Sequence, residues 1–180
     1  VTFDGLNYSL DSDNKTAKVI QTNPVPDQVE IPSTIIVDDI KYTVTELENT
    51  FVKCENLISV TIPSTVTKIG NEAFYGCTSL NSIEIPNSVV SIGDEAFSFC
   101  TALESVKIPC SVVSIAQHAF YCCSALSSII IDANNTVYDS RDNCNAIIVT
   151  STNSLLIGSN NATIPEGVTS IQNKCFYYYE

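Results

Sequence analysis

A 23-residue period dominates this sequence and limits what the chain can fold into. Each period carries a phenylalanine followed three positions later by a cysteine, which gives the pairs Phe51 and Cys54, Phe74 and Cys77, Phe97 and Cys100, and Phe120 and Cys123. A period in the twenties with apolar residues at fixed offsets is typical of a solenoid, in which stacked coils share one continuous core. The sequence therefore predicts a stack of coils.

Each repeat contains a short alternating segment that predicts a β-strand. Within residues 57–63, Val60 and Ile62 are two positions apart and point to one face, whereas Ser59 and Thr61 point to the other. Proline lacks a backbone N–H and cannot continue a strand ladder, so Pro63 marks the end of this strand. The same pattern recurs in the following repeats, so we expect parallel strands stacked side by side.

The remainder of each repeat predicts the opposite side of the coil. A second apolar pair, Val66 and Ile69 in the first full repeat, precedes an Ala-Phe step. The spacing from Ile69 to Phe74 is helical, so we predict a short helical turn over residues 71–76 with Phe74 in the core.

Breaks in the period divide the single domain into four segments. Residues 1–42 are predicted to form an N-terminal β cap and first partial repeat, with a hairpin near residues 37–42, and residues 43–131 form the regular repeats. Residues 132–163 are an irregular insertion whose apolar runs 146–150 and 154–158 predict a β-hairpin. Residues 164–180 are a last, incomplete repeat. Unless Tyr177, Tyr178 and Tyr179 cover that end, its apolar edge favours self-association.

Composition excludes several classes of partner. With 180 residues, 44% hydrophobic residues and a mean hydropathy of +0.17, the chain fits one folded domain. Its net charge of −12 argues against nucleic acid and anionic membrane surfaces, which require clustered basic residues. No apolar run approaches the roughly 20 residues of a membrane helix, so direct membrane insertion is not expected.

The eight cysteines do not have the spacing of a zinc site. The periodic cysteines are expected to form a buried ladder of thiols, although neighbouring coils are close enough for cross-linking. Cys175 takes the place of a repeat alanine and is expected to be buried. Cys110 falls in a turn and Cys144 in the insertion, so these two are candidates for reactive or paired thiols.

The sequence carries no recognisable catalytic or cofactor motif, and we predict no enzyme activity and no cofactor. The single histidine, His118, stands where other repeats carry glutamate, so a solvated side chain is expected. An oxygen-rich run in the insertion leaves two alternatives open, turn chemistry and a calcium site, with no metal site assigned. Its residues are Asp132, Asn134, Asn135, Asp139 and Asp142.

The predicted strands present two outward columns that form the candidate binding site. The first is a ladder of identical hydroxyls, Ser59, Ser82, Ser105 and Ser128. The second changes chemistry in every repeat and comprises Thr61, Glu84, Lys107 and Ile130. At a step of about 4.8 Å, both columns could meet a flat partner. The serines could alternatively serve tight strand packing, so we place binding specificity in the second column.

The repeat consensus L-x-S-[IV]-x-I-P-x-[ST]-V-x-x-I-G-x-x-A-F-x-x-C, with TSLNSIEIPNSVVSIGDEAFSFC as its clearest copy, resembles the BspA-type, or Treponema pallidum-type, leucine-rich repeat of Bacteroidetes-like surface proteins. The resemblance covers residues 43–131 closely and 164–176 partially. The departures are Ala116 and Gln172 in place of glycine, and His118 in place of glutamate.

The resemblance implies a predominantly β leucine-rich-repeat solenoid of the α/β class with short helical turns. It also implies a secreted or cell-surface location and adhesion to a host matrix or cell-surface protein. A non-catalytic adhesion module is therefore the first hypothesis for function. The alternative is a structural spacer, or display stalk, for another module of a longer surface protein.

Overall fold

The computed structural model describes residues 1–22 and 24–176. The N-terminal part of the chain forms the predicted β cap. The cap strands are β1 (Thr2–Phe3), β2 (Leu6–Asp11), β3 (Thr16–Ile20), β4 (Gln28–Glu30), β5 (Thr34–Val37) and β6 (Ile40–Leu47). β1, β2 and β3 pair antiparallel in sequence order, and β3 then pairs parallel with β6. β5 and β6 form the predicted hairpin, whose turn residues Asp38 and Asp39 have φ of 49° and 60°. Positive φ at both positions is what a tight two-residue hairpin requires.

The regular repeats contribute two short strands to each complete coil. These strands are β7 (Ser59–Thr61), β8 (Lys68–Ile69), β9 (Ser82–Ile83), β10 (Ser91–Ile92), β11 (Ser105–Ile108), β12 (Ser114–Ile115) and β13 (Ser128–Ile131). The odd-numbered strands of this group form the strand face, where β9, β11 and β13 pair parallel and β7 pairs with β4. The even-numbered strands continue the cap sheet in the order β6, β8, β10, β12. The solenoid prediction is confirmed.

A column of phenylalanine rings fills the third side of each coil. Phe51, Phe74, Phe97 and Phe120 are all buried, and the rings of Phe74, Phe97 and Phe120 stack with centroids 5.1 Å apart and nearly parallel planes. The leucines at the start of each strand segment are also fully buried. Each ring therefore gains its burial from the coils above and below it, as expected for a stack that has no core within a single coil.

The predicted helical turn over residues 71–76 is wrong in conformation, although it places Phe74 correctly in the core. The segment is a run of turns in which Glu72 has φ of 51°, outside the helical region. Alternate N–H groups donate to carbonyls of the next coil, from Glu72 to Asp94 at 3.0 Å and from Phe74 to Ala96 at 2.7 Å, and a single bond, from Tyr75 to Glu72 at 3.2 Å, runs back along the segment. Within residues 1–22 and 24–176 the only helix is the 3₁₀ segment Arg141–Asn143.

The insertion forms a four-stranded sheet together with one strand of the last coil. It contains β14 (Tyr138–Asp139), β15 (Ala146–Val149) and β16 (Ser154–Gly158), and β16 pairs parallel with β17 (Ser170–Ile171) of the last coil. The hairpin predicted from residues 146–150 and 154–158 is thus confirmed. The segment boundaries given above stay predictions.

The last coil exposes three apolar side chains whose equivalents at the same repeat positions are buried in earlier coils. Ile164 is 56% exposed, Ile171 48% and Phe176 38%. Tyr177, Tyr178 and Tyr179, the residues expected to cover this end, lie outside the described residues.

Candidate binding surface on the strand face

The inward residues of the strand face are packed into the core. Val60, Ile83, Val106 and Ile129 are buried, and the alternation of the strands turns their neighbours outward. Backbone pairing aligns Ser82 with Ser105, and Ser105 with Ser128. The ladder is therefore present in three successive coils.

The variable column reaches solvent throughout its length. Thr61, Glu84, Lys107 and Ile130 are all exposed, and Ile130 has 53% of its surface accessible. In the serine ladder, Ser82 and Ser105 are exposed whereas Ser59 and Ser128 are half-buried. The structure thus brings the predicted residues to one face, and the variable column is the more accessible of the two columns.

The strand face is interrupted between the first and second full repeats. β7 pairs with β4 of the cap, and β9 pairs with β11, but no ladder among the described residues joins β7 to β9. A shallow hollow lies at this interruption, with Thr61 and Ser64 on one side and Glu84 and Asn87 on the other. Glu84 and Asn87 also line a second hollow with Lys107. Glu84 is therefore the central residue of the candidate surface.

Sequence reasoning missed two residues that extend both columns by one coil. In β4, Gln28 pairs with Ser59 and Glu30 pairs with Thr61. The Val29-Glu30-Ile31-Pro32 segment has the same alternation and terminal proline as the later strands, and this pattern could have identified it. Glu30, which is exposed, adds a carboxylate at the cap end of the variable column.

The oxygen-rich run in the insertion shows the bonds of turn chemistry. Asp132 accepts the backbone N–H of Asn134 at 3.0 Å, and this bond, together with the nearby Lys107 ammonium, lowers the pKa of Asp132. Asn135 donates to the carbonyl of Pro109 at 2.9 Å in the preceding coil. Asp139 binds the Arg141 guanidinium at 2.6 Å. No cluster of three or more His, Cys, Asp or Glu that could hold a metal occurs within the described ranges.

The periodic cysteines form the predicted thiol ladder. Cys77 donates from Sγ to the carbonyl of Phe51 at 3.1 Å, and Cys100 and Cys123 repeat this bond one and two coils later. Burial raises the pKa of Cys77 and of Cys123 to about 12, and it also raises the pKa of Cys100. These thiols are therefore structural donors, and Cys175 is buried as expected.

The two cysteines predicted to be reactive or paired differ in the structure. All eight cysteines are free, so neither Cys110 nor Cys144 is paired. The reactive alternative is wrong for Cys144, which has no exposed surface and packs with Ala146, Ile148 and Leu155. Cys110 is exposed in its turn. A thiol must be accessible to react, so of these two cysteines only Cys110 remains a candidate reactive thiol.

We expect one thiol of the native protein to react rapidly with Ellman's reagent near pH 8, because seven of the eight are buried. The measurement is the absorbance change per chain before and after addition of denaturant. Cys110→Ser should abolish the fast phase, whereas Cys144→Ser should leave it intact. A fast phase that survives Cys110→Ser would contradict the assignment.

His118 is paired and not simply solvated. Its Nδ1 lies 3.2 Å from Asp94 Oδ1, and its ring meets Tyr121 edge-on at 6.0 Å between centroids. The side chain is 35% exposed, so it stays partly hydrated.

The stacked strand-and-turn coils with inward leucines, isoleucines and phenylalanines define a leucine-rich-repeat solenoid. The chain belongs to the family of the BspA type leucine rich repeat region, which matches residues 47–180 in six copies. No curated protein matches the sequence significantly.

Solved bacterial structures share this fold. A leucine-rich repeat protein of Bacteroides capillosus is 24% identical, with a TM-score of 0.66 over 74% of this chain and 98% of its own. The T. pallidum leucine-rich repeat protein is 25% identical, with a TM-score of 0.58 over 72% of this chain and 70% of its own. The pneumococcal vaccine antigen PcpA is 19% identical, with a TM-score of 0.55 over 98% of this chain and 61% of its own. None of the helices in the described part of the chain could cross a membrane.

Proposed function

We propose that this chain is a non-catalytic protein-binding module of a secreted or cell-surface protein, and that its strand face binds the partner. The observation that carries the proposal is the variable column, in which exposed threonine, glutamate, lysine and isoleucine follow one another in successive coils. A rigid scaffold with chemically distinct side chains at fixed spacing keeps the entropy cost of binding low. The resemblance to BspA-type repeats favours adhesion to a host matrix or cell-surface protein.

The arrangement of charge and apolar surface supports a protein ligand. Glu84 and Lys107 provide opposite charges in neighbouring coils, and Ile130 provides an exposed apolar side chain one coil further. Protein interfaces combine apolar anchors with charged groups that set orientation and exclude wrong partners. The hollows beside Glu84 offer recesses into which partner side chains could fit.

The test is binding of the purified chain to immobilised matrix glycoproteins, including fibronectin and fibrinogen, and to a glycan panel. We expect saturable binding to a protein, and the triple variant Glu84→Arg, Lys107→Glu and Ile130→Asp should weaken it at least tenfold, since close charge pairs and apolar anchors each contribute on the order of 1 kcal/mol or more.

The matched control makes the same charge changes away from the strand face. Asp13→Arg, Lys41→Glu and Ile36→Asp alter exposed positions in the hairpins of the cap, and this variant should bind like the wild type. Equal loss in both variants, or undiminished binding by the strand-face variant, would contradict the proposal.

The spacer alternative is supported by a different observation, the exposure of Ile164, Ile171 and Phe176 on the last coil. An apolar surface of this kind favours stacking against another body. If the chain binds no host component alone but a longer protein that contains it does, and the strand-face variant of that longer protein binds normally, the spacer function is favoured.

A further inference from the structure

A row of partly exposed aromatic side chains crosses three coils on the turn side of the solenoid. This aromatic row consists of Tyr75, Phe99 and Tyr121. The ring centroids of Tyr75 and Phe99 are 5.4 Å apart and those of Phe99 and Tyr121 are 5.8 Å apart, with planes inclined at 62° and 78°. The row is distinct from the buried phenylalanine column and from the strand face, so neither the core nor the proposed binding site accounts for it.

Phe99 is the residue whose presence is hardest to explain by folding. Its φ is 60°, and the structurally equivalent residues Lys53, Gly76 and Cys122 have φ of 58°, 71° and 58°. The left-handed region suits glycine and is unfavourable for a bulky side chain. Phe99 is also 37% exposed, so its burial is incomplete. An aromatic residue that opposes the local backbone preference and leaves the core points to a role outside the fold.

Acidic groups accompany the row. Of the three turn segments that carry it, residues 71–76 and 94–99 contain Glu72, Asp94 and Glu95 and no lysine or arginine. The third segment, residues 117–122, has no acidic residue and contributes His118, which is paired with Asp94. Glu72 and Asp94 are exposed and Glu95 is half-buried. Lys53 and Lys174 lie at the two ends of the row. The backbone N–H of Lys53 donates to the carbonyl of Tyr75, and the Lys174 ammonium lies over the Tyr121 ring.

The chain already places one cation against this row. The Lys174 ammonium lies 6.0 Å from the centroid of the Tyr121 ring. Cations within about 6 Å of an aromatic face are attracted by its quadrupole, and arginine can add planar stacking to this attraction. The ring faces and the carboxylates both attract cations, so a cationic group is the ligand chemistry that fits the row.

We propose that the aromatic row binds an arginine-bearing segment of a partner protein. A guanidinium stacks on the Phe99 ring, and the carboxylates of Glu72 and Glu95 pair with its remaining donors. This second surface is independent of the strand face, so the chain can engage two partners or two parts of one partner.

The experiment compares fluorescein-labelled oligo-arginine, oligo-lysine and neutral glycine-serine peptides by fluorescence anisotropy. We expect oligo-arginine to bind the wild type most tightly and the neutral peptide not to bind. Phe99→Gly should weaken the binding of oligo-arginine about tenfold. Its melting temperature should stay close to that of the wild type, because the better fit of glycine to the positive φ offsets the lost ring contacts with Tyr75 and Tyr121.

The controls separate the row from general electrostatic attraction. Phe99→Gly leaves the net charge unchanged. Val113→Ala, which alters another exposed apolar residue outside the aromatic row, should bind oligo-arginine like the wild type. The strand-face triple variant should also keep this binding, so that failure of one proposal is visible separately from failure of the other. Equal affinity of Phe99→Gly and wild type for oligo-arginine would overturn the inference, as would equal binding of the neutral peptide.

Discussion

Replacement of Phe97 by alanine is expected to lower the free energy of unfolding by about 3–5 kcal/mol, the usual cost of deleting a buried aromatic ring. Phe97 has no exposed surface, and its ring lies between those of Phe74 and Phe120, each 5.1 Å away. The substitution leaves a cavity that faces both neighbouring coils. Because a solenoid owes its stability to the interfaces between repeats, both interfaces of this coil are weakened at once.

Equilibrium unfolding in urea, followed by circular dichroism, measures this effect. Phe3→Ala is the matched control, since Phe3 is 39% exposed at the edge of the cap and surface substitutions usually change stability by less than about 0.5 kcal/mol. A loss below about 1 kcal/mol for Phe97→Ala would show that the coils collapse around the cavity or that the stacked column carries little of the stability.

The architecture was predictable because the period places the same residue types at the same buried and exposed positions in every coil. Phe74 and its equivalents had to be inside, since no single coil can cover them, and the Ile-Pro steps correctly marked strand ends. Residues 71–76 were mispredicted because their spacing resembles a helix. In the stack the N–H groups of Glu72, Phe74 and Gly76 find acceptors in the next coil, so a continuous helical bonding pattern is unnecessary and Glu72 adopts a positive φ.

The sequence predicted which side chains of the candidate site point outward, but it did not predict that the strand face is interrupted. Ser59 and Thr61 point outward as expected, yet their strand pairs with Gln28–Glu30 of the cap and not with the next coil. A repeat pattern describes identical units and cannot reveal where one interface differs from the others. Cys144 was misread for the related reason that it lies outside the period, so its burial depends on the fold of the insertion.

Alkaline pH is expected to unfold this protein through its buried thiols. The pKa of Cys77 and of Cys123 is about 12 in the folded chain and about 9 in the unfolded chain, because burial disfavours the thiolate. Between these values the unfolded state has released protons that the folded state retains. The stability contributed by these groups is thus complete below pH 9 and is lost as pH rises toward 12.

The loss should be steep because several thiols act together. One group with a raised folded-state pKa costs up to about 1.4 kcal/mol for each pH unit in this window. Cys77, Cys100 and Cys123 shift in the same direction, so their combined slope approaches about 4 kcal/mol for each pH unit. Typical domains have about 5–15 kcal/mol of stability, which places the unfolding transition between about pH 10 and 12.

Circular dichroism during a pH titration under reducing conditions measures the transition, and urea unfolding at several pH values gives the slope. A variant with Cys77→Ala and Cys123→Ala removes two of the titrating groups. It starts from a lower stability at neutral pH, so the slope above pH 9 is the informative quantity, and we expect it to fall to about one half to two thirds of the wild-type slope. The remaining slope belongs to Cys100, to Cys54, Cys122 and Cys175, whose pKa values are also raised by burial, and to Tyr8, whose pKa is raised to about 12 by burial and by Asp4. Equal slopes for the two proteins would mean that tyrosines or general repulsion among the acidic groups, and not the thiol ladder, set the alkaline limit of the fold.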